Sequence, residues 1–104
     1  MRKTRSIKVI DVYVPPNSST QSDYLNVELF HVKTVCGKCE FNGTLAISVA
    51  PEEGTFIGEL YTVDISSGKA FSASFTEAFN SIQVTVDNLS AVTGKAEVWL
   101  VTQD

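Results

Sequence analysis

The 104-residue chain holds a single histidine, two cysteines and a single tryptophan. A structural zinc site takes four ligands, and one histidine with two cysteines falls short of four. His31 alone makes no catalytic triad without a positioned nucleophile and an orienting acid. No glycine-rich phosphate loop occurs. No apolar run approaches the roughly 20 residues of a membrane-spanning helix. The start, MRKTRSIK, is basic, but no apolar stretch of about 7–15 residues follows it, as a secretory signal would require. The next segment alternates, contains Asp11 and ends at Pro15–Pro16. The expectation is synthesis in a cytoplasm without a signal peptide, and no membrane partner. Sequons at Asn17, Asn42 and Asn88 then carry no weight. A sustained 3.6-residue period is also missing, and the one helical candidate is a single turn near Thr76–Phe79.

What is present fits one globular domain. Apolar residues make up 43% and charged residues 19%, which is neither a disordered nor a membrane composition. Charge is distributed unevenly. Arg2, Lys3, Arg5 and Lys8 are half of the eight basic residues, and all twelve acidic residues follow them. The chain therefore divides into a basic N-terminal arm over residues 1–8 and an acidic domain over residues 9–104. Nucleic acid is not an expected partner of such a body, because phosphate binding needs clustered Lys and Arg. The arm is either a frayed, solvated terminus or a docking element for an acidic surface, such as a neighbouring copy.

Short alternating segments fill the domain. Ile7–Val14 is rich in Ile and Val, and Pro15–Ser22 is a polar loop. Tyr24–Val35 begins with Leu25, Val27 and Leu29 on one parity and continues with Phe30 and Val32 on the other. That switch predicts a bulge, or a strand bending from one sheet to another. Phe41–Ala50 sets Leu45, Ile47 and Val49 against Ala46, Ser48 and Ala50. PEEG at Pro51–Gly54 and SSGK at Ser66–Lys69 are turns. Thr55–Ile65 sets Ile57, Tyr61, Val63 and Ile65 on one parity. Phe71, Ala73 and Phe75 alternate with serines. Ile82, Val84 and Val86, then Ala96, Val98 and Leu100, complete the pattern. Seven or eight strands at this spacing predict an antiparallel, jelly-roll-like β-sandwich.

Cys36-Gly37-Lys38-Cys39 is the motif that invites chemistry. Between two strands, at an expected hairpin tip, it lacks the helix N-terminus that activates a redox CxxC. Three readings stay open: reduced turn residues, a disulfide across the turn, or metal binding with His31. The last needs copies pooling their thiolates. Glu52–Glu53 reads as a solvated turn, and the carboxylates of Asp11, Glu28, Glu59, Asp64, Asp87 and Glu97 read as outward strand positions. Nothing sets two of them across a cleft as glycoside hydrolysis requires. No catalytic residue and no cofactor are assigned.

Parity places one large aromatic on the wrong side for a core. With Ala96, Val98 and Leu100 inward, Trp99 and Val101 point outward. Either a loop or the arm covers Trp99 within the monomer, or a partner does. The other outward positions, Ala46, Ser48, Ala50, Ser72, Ser74 and Thr85, make a flat, uncharged surface that invites sheet packing. The expected interface comprises Trp99 and Val101 with Arg2, Lys3 and Arg5, in a homo-oligomer.

The stretch Tyr61–Thr102 pairs a Ser/Gly turn and a small-residue strand with SIQVTVDNLSAVTGKAEVWLV as a final hairpin. In this it resembles the C-terminal hairpins of small all-β virion proteins of tailed phages, of the capsid decoration (cement) or tail accessory type. The resemblance covers about two fifths of the chain and carries over no site residue. It implies a non-enzymatic structural role on a larger protein shell, a capsid or tail, and a place in the virion. Carbohydrate-binding jelly rolls end in similar hairpins, so a glycan-binding module is the alternative. A small redox or zinc protein using the CGKC turn is the third.

Overall fold

The computed structural model describes residues 4–104. It is an antiparallel β-sandwich of nine strands: β1 (Thr4–Val14), β2 (Ser19–Gln21), β3 (Leu25–Asn26), β4 (Val32–Cys39), β5 (Gly43–Ala50), β6 (Gly58–Ile65), β7 (Ala70–Phe75), β8 (Ser81–Asn88) and β9 (Gly94–Gln103). One sheet has the order β1-β9-β4-β7; the other has β2-β8-β5-β6, with β3 also on β8. The two extra elements beyond the expected strands are β2, three residues inside the Pro15–Ser22 loop, and β3.

Most connections cross between the sheets. The parity switch after Leu29 is such a crossing: β3 belongs to the second sheet and β4 to the first. β5 and β6 form a hairpin through the PEEG turn, with a register shift at Ile47/Ser48. Strand β6 starts at Gly58, so Ile57 lies before it and is exposed. The helical turn expected near Thr76–Phe79 is irregular backbone, and no described residue is helical. The expected final hairpin is an arch, because β8 and β9 lie in opposite sheets. Asn88 holds it. This fully buried amide donates to the Val14 and Val92 carbonyls at 3.0 and 2.8 Å, and its oxygen accepts from the Ser90 amide at 2.9 Å. Satisfied in this way, a buried polar group costs the fold little.

The core lies between the sheets. Ile10, Val35, Val98 and Leu100 of the first sheet face Leu45, Ile47, Val84 and Val86 of the second. Ala46 and Ala50, expected outside, are 4% and 0% exposed. Ala46 has the Cα partners Thr62 and Thr85 on the flanking strands, so a short methyl sits on a central strand between two longer side chains. The Ala50 carbonyl receives the Asn80 amide at 2.9 Å from the β7–β8 loop.

One core position is a lysine. Lys33 is 1% exposed because β4 turns it inward between Phe75 and Thr102. Its ammonium donates to the carbonyls of Glu77 (2.8 Å), Phe30 (3.2 Å) and His31 (3.4 Å). It also lies 5.4 Å from the centre of the Phe75 ring. Burial holds its pKa below the ordinary lysine value, while Glu77 opposes the shift. The side chain ties the β3–β4 loop to the β7–β8 loop. Lys33→Met keeps the volume but leaves three carbonyls without their donor. It is expected to lower stability by between about 1 and 2 kcal/mol, read as a lower denaturant midpoint at unchanged slope.

Candidate functional site

The outer face of the first sheet carries the residues the sequence singles out, although not all of them. On β9 the outward positions are Lys95, Glu97, Trp99, Val101 and Gln103, alternating with buried Ala96, Val98, Leu100 and Thr102. Trp99 is 37% exposed on the outer face, with Lys8 of β1 and Cys36 of β4 as its register partners. The Lys8 ammonium lies 4.9 Å from the centre of the indole, a cation–π contact that covers part of the ring. Val101 shares the face and is half-buried.

Below Trp99 lies a square of alternating charge. Lys8 approaches Asp11 at 3.5 Å and Glu97 at 3.9 Å; Lys95 approaches Asp11 at 3.3 Å and Glu97 at 3.4 Å. A hydrogen bond from Lys95 holds the Asp11 carboxyl below its usual range, and the same contact raises Lys95. These groups are solvated, so they orient side chains more than they stabilise the fold. On the other side of Trp99 the face is uncharged: Thr34, Cys36, Ser72 and Ser74, with Thr34 and Ser74 hydroxyls 2.8 Å apart. Ser48 and Thr85 face outward on the second sheet, so the small positions do not form one surface with Trp99.

Strand β1 takes in residues 4–8 of the expected arm, paired to β9 from Thr4↔Gln103 onward. Arg2 and Lys3 lie outside the described residues. Arg5 has the inward parity, opposite Thr102. Together with Ile7, Tyr24, Leu25 and Phe30 it lines a cleft of about 370 Å³ between the sheet edges. It therefore does not share Trp99's face.

The CGKC motif is not a hairpin tip. Its four residues are the last four of β4. Positions three apart in a strand point to opposite faces, so Cys36 is half-exposed beside Trp99 while Cys39 is buried in the core. In this placement the two thiols do not face each other across a turn, and within one chain they do not converge with His31. His31 is exposed just before β4, about 17 Å along the strand from Cys36 at 3.4 Å per residue. No cluster of three His, Cys, Asp or Glu suited to a metal occurs among the described residues. Burial pushes the Cys39 thiol up to about 11. In native protein at neutral pH, iodoacetamide is expected to label Cys36 and spare Cys39, giving one adduct by intact mass; unfolding should give two. Two adducts on folded protein would contradict this placement.

The lysine over Trp99, the charge square and Lys33 all escape a reading by parity alone. The register shift between Lys8 and Ile10 places Lys8 and Asp11 on one face, which no alternation pattern announces.

No family model matches the chain, and no curated protein matches it. Solved structures share its fold. The PBSX exported protein XepA superposes with a TM-score of 0.81 at 8% identity, over 94% of this chain. This chain spans about a third of that protein's length (36%). The SPBc2 prophage-derived protein YomS superposes at 0.65 with 12% identity, over 100% of this chain and 96% of YomS. The C-terminal CBM6 of LamC, a marine laminarinase of Zobellia galactanivorans, superposes at 0.56 with 9% identity, over 92% and 98%. At such identities the likeness is one of fold: an all-β sandwich shared with phage-derived proteins and with a carbohydrate-binding module.

Proposed function

We propose that the chain is a non-enzymatic structural protein of a tailed-phage particle. As a decoration or accessory protein it binds a larger protein shell, capsid or tail, through the outer face of its first sheet. The observation that carries this reading is Trp99, the chain's one tryptophan, which stands outward in mid-strand between a charge square and an uncharged flank. Aromatic anchors with polar rims are the usual anatomy of protein interfaces. The fold shared with XepA and YomS supports a phage origin. In this reading the protein resides in the virion.

The fold of CBM6 favours a second reading, glycan binding. Its weakness is the placement of the exposed aromatics. Tyr13 lies opposite Lys95, four positions along β9 from Trp99, which is about 13 Å. Tyr24 lies at the other sheet's edge, 4.7 Å from the Phe56 ring. They do not line one groove. Co-sedimentation with purified tailed-phage capsids and tails, alongside retention on insoluble polysaccharides, separates the readings. Binding to particles and not to glycans is the expected result; the reverse overturns it.

A further inference from the structure

A sandwich has four sheet edges, and three of them here are guarded. Strand β1 carries Arg5, Lys8 and Asp11 and a register shift; β2 and β3 are three and two residues long; β6 carries Glu59 and Asp64 and pairs across a bulge. Charges, bulges and short strands are the ordinary defences of an edge. Strand β7, Ala70–Phe75, has none of them. It has no charge and no proline, it pairs with β4 in an unbroken register, and it ends its sheet.

Its sequence is also self-complementary. Phe71-Ser72-Ala73-Ser74-Phe75 reads the same in both directions. An antiparallel pair of two such strands about a two-fold axis at Ala73 sets Phe71 opposite Phe75, Ser72 opposite Ser74, and Ala73 opposite itself. The same register continued past the strand ends sets Ala70 opposite Thr76 and Lys69 opposite Glu77. Lys69 is exposed and has no ion-pair partner among the described residues. Glu77 is exposed and ionised, its carboxyl held below the usual range by the Tyr61 hydroxyl. Each end of the joint thus matches opposite charges, and its middle matches like with like, as an isologous contact demands.

We propose that the occupant of this edge is a second copy of the chain, joined β7 to β7 in an eight-stranded sheet β1-β9-β4-β7-β7-β4-β9-β1. The phenylalanines continue the inner layer across the joint and the serines continue the outer face. Five strand steps of about 4.8 Å separate the two copies of β9, so the one outer face of the joined, twisted sheet carries both Trp99 side chains, about 24 Å apart along the sheet. This deepens the shell-binding reading, because two weak contacts on one rigid body bind together, but the joint itself does not depend on what the Trp99 face meets.

The test is native mass by sedimentation equilibrium from low to high micromolar concentration. Wild type is expected to double its mass reversibly. Ser72→Lys/Ser74→Lys places like charges opposite each other twice and is expected to weaken association by about tenfold or more. Ser72→Lys/Ser74→Glu places opposite charges there and is expected to restore the dimer. Both sites are exposed, and circular dichroism checks the fold. If the double-lysine variant fails to fold, Lys69→Glu, outside the strand and facing Glu77, is expected to weaken the dimer in its place. A wild type of single-chain mass throughout, or charge variants that all dimerise alike, overturns the proposal. Trp99→Ala leaves the joint untouched and should dimerise as wild type does. A dimer that binds no shell would therefore sink the functional reading alone, and a monomer that binds one would sink the joint alone.

Discussion

Replacing Gly37 with alanine is expected to destabilise the domain by about 3 kcal/mol or more. Gly37 lies mid-sheet, with Val98 opposite it on β9 and Phe71 on β7. A Cβ there would press into the Glu97 carbonyl oxygen and stand 2.9 Å from the Val98 Cα. Both are backbone atoms of a strand paired on both sides, so neither side can yield without breaking ladder hydrogen bonds. Melting should fall by roughly 12 °C or more for a domain of this size. Cys36→Ser, one residue away and facing outward, should leave it nearly unchanged. The glycine of the motif is thereby explained by the close approach of β9 and not by thiol chemistry. A Gly37→Ala protein that melts within a degree or two of wild type would contradict that explanation.

Trp99→Ala is expected to have the opposite profile. Within the chain the indole gains partial burial and the Lys8 contact, a loss of about 1 kcal/mol for an exposed strand position. At an interface an anchoring tryptophan is worth about 2 kcal/mol or more, so affinity for the shell should fall about thirtyfold or more. Trp99→Phe, which keeps an aromatic face under Lys8, should recover part of it. Equal binding by wild type and Trp99→Ala would show that the shell does not bind through the outer face. Outright unfolding of Trp99→Ala would mean that the ring supports the core through Lys8 and Cys36.

Parity proved a good guide to layers and a poor one to neighbours. It placed Trp99 outside and Val98 and Leu100 inside, because alternation along β9 is unbroken from Gly94 to Gln103. It also located the crossing between β3 and β4, where two apolar phases meet. It failed where a position depends on pairing partners. Ala46 and Ala50 have the outward parity, yet neighbouring strands and a loop bury them. The arch between β8 and β9 has the turn residues of a hairpin, and what makes it an arch is the buried Asn88, whose partners Val14 and Val92 lie on separate segments. CGKC misled because its spacing suggests a turn, whereas β4 continues straight through it. Lys33 contradicts composition rules outright. A buried ammonium is intelligible only when the three carbonyls around it are known, and they come from two loops, the farther carbonyl, that of Glu77, lying 44 residues from Lys33 in sequence.

The proposed shell would close the Trp99 face. The chain's one tryptophan is its own reporter. Fluorescence emission of Trp99, recorded while the protein is titrated with purified tailed-phage capsids or tails, reads that closure. The free protein is expected to show solvent-exposed emission at every concentration, dimer included, and a blue shift that saturates with particle binding as the indole loses water. Emission that stays at its free position while the protein co-sediments with the particles would contradict it.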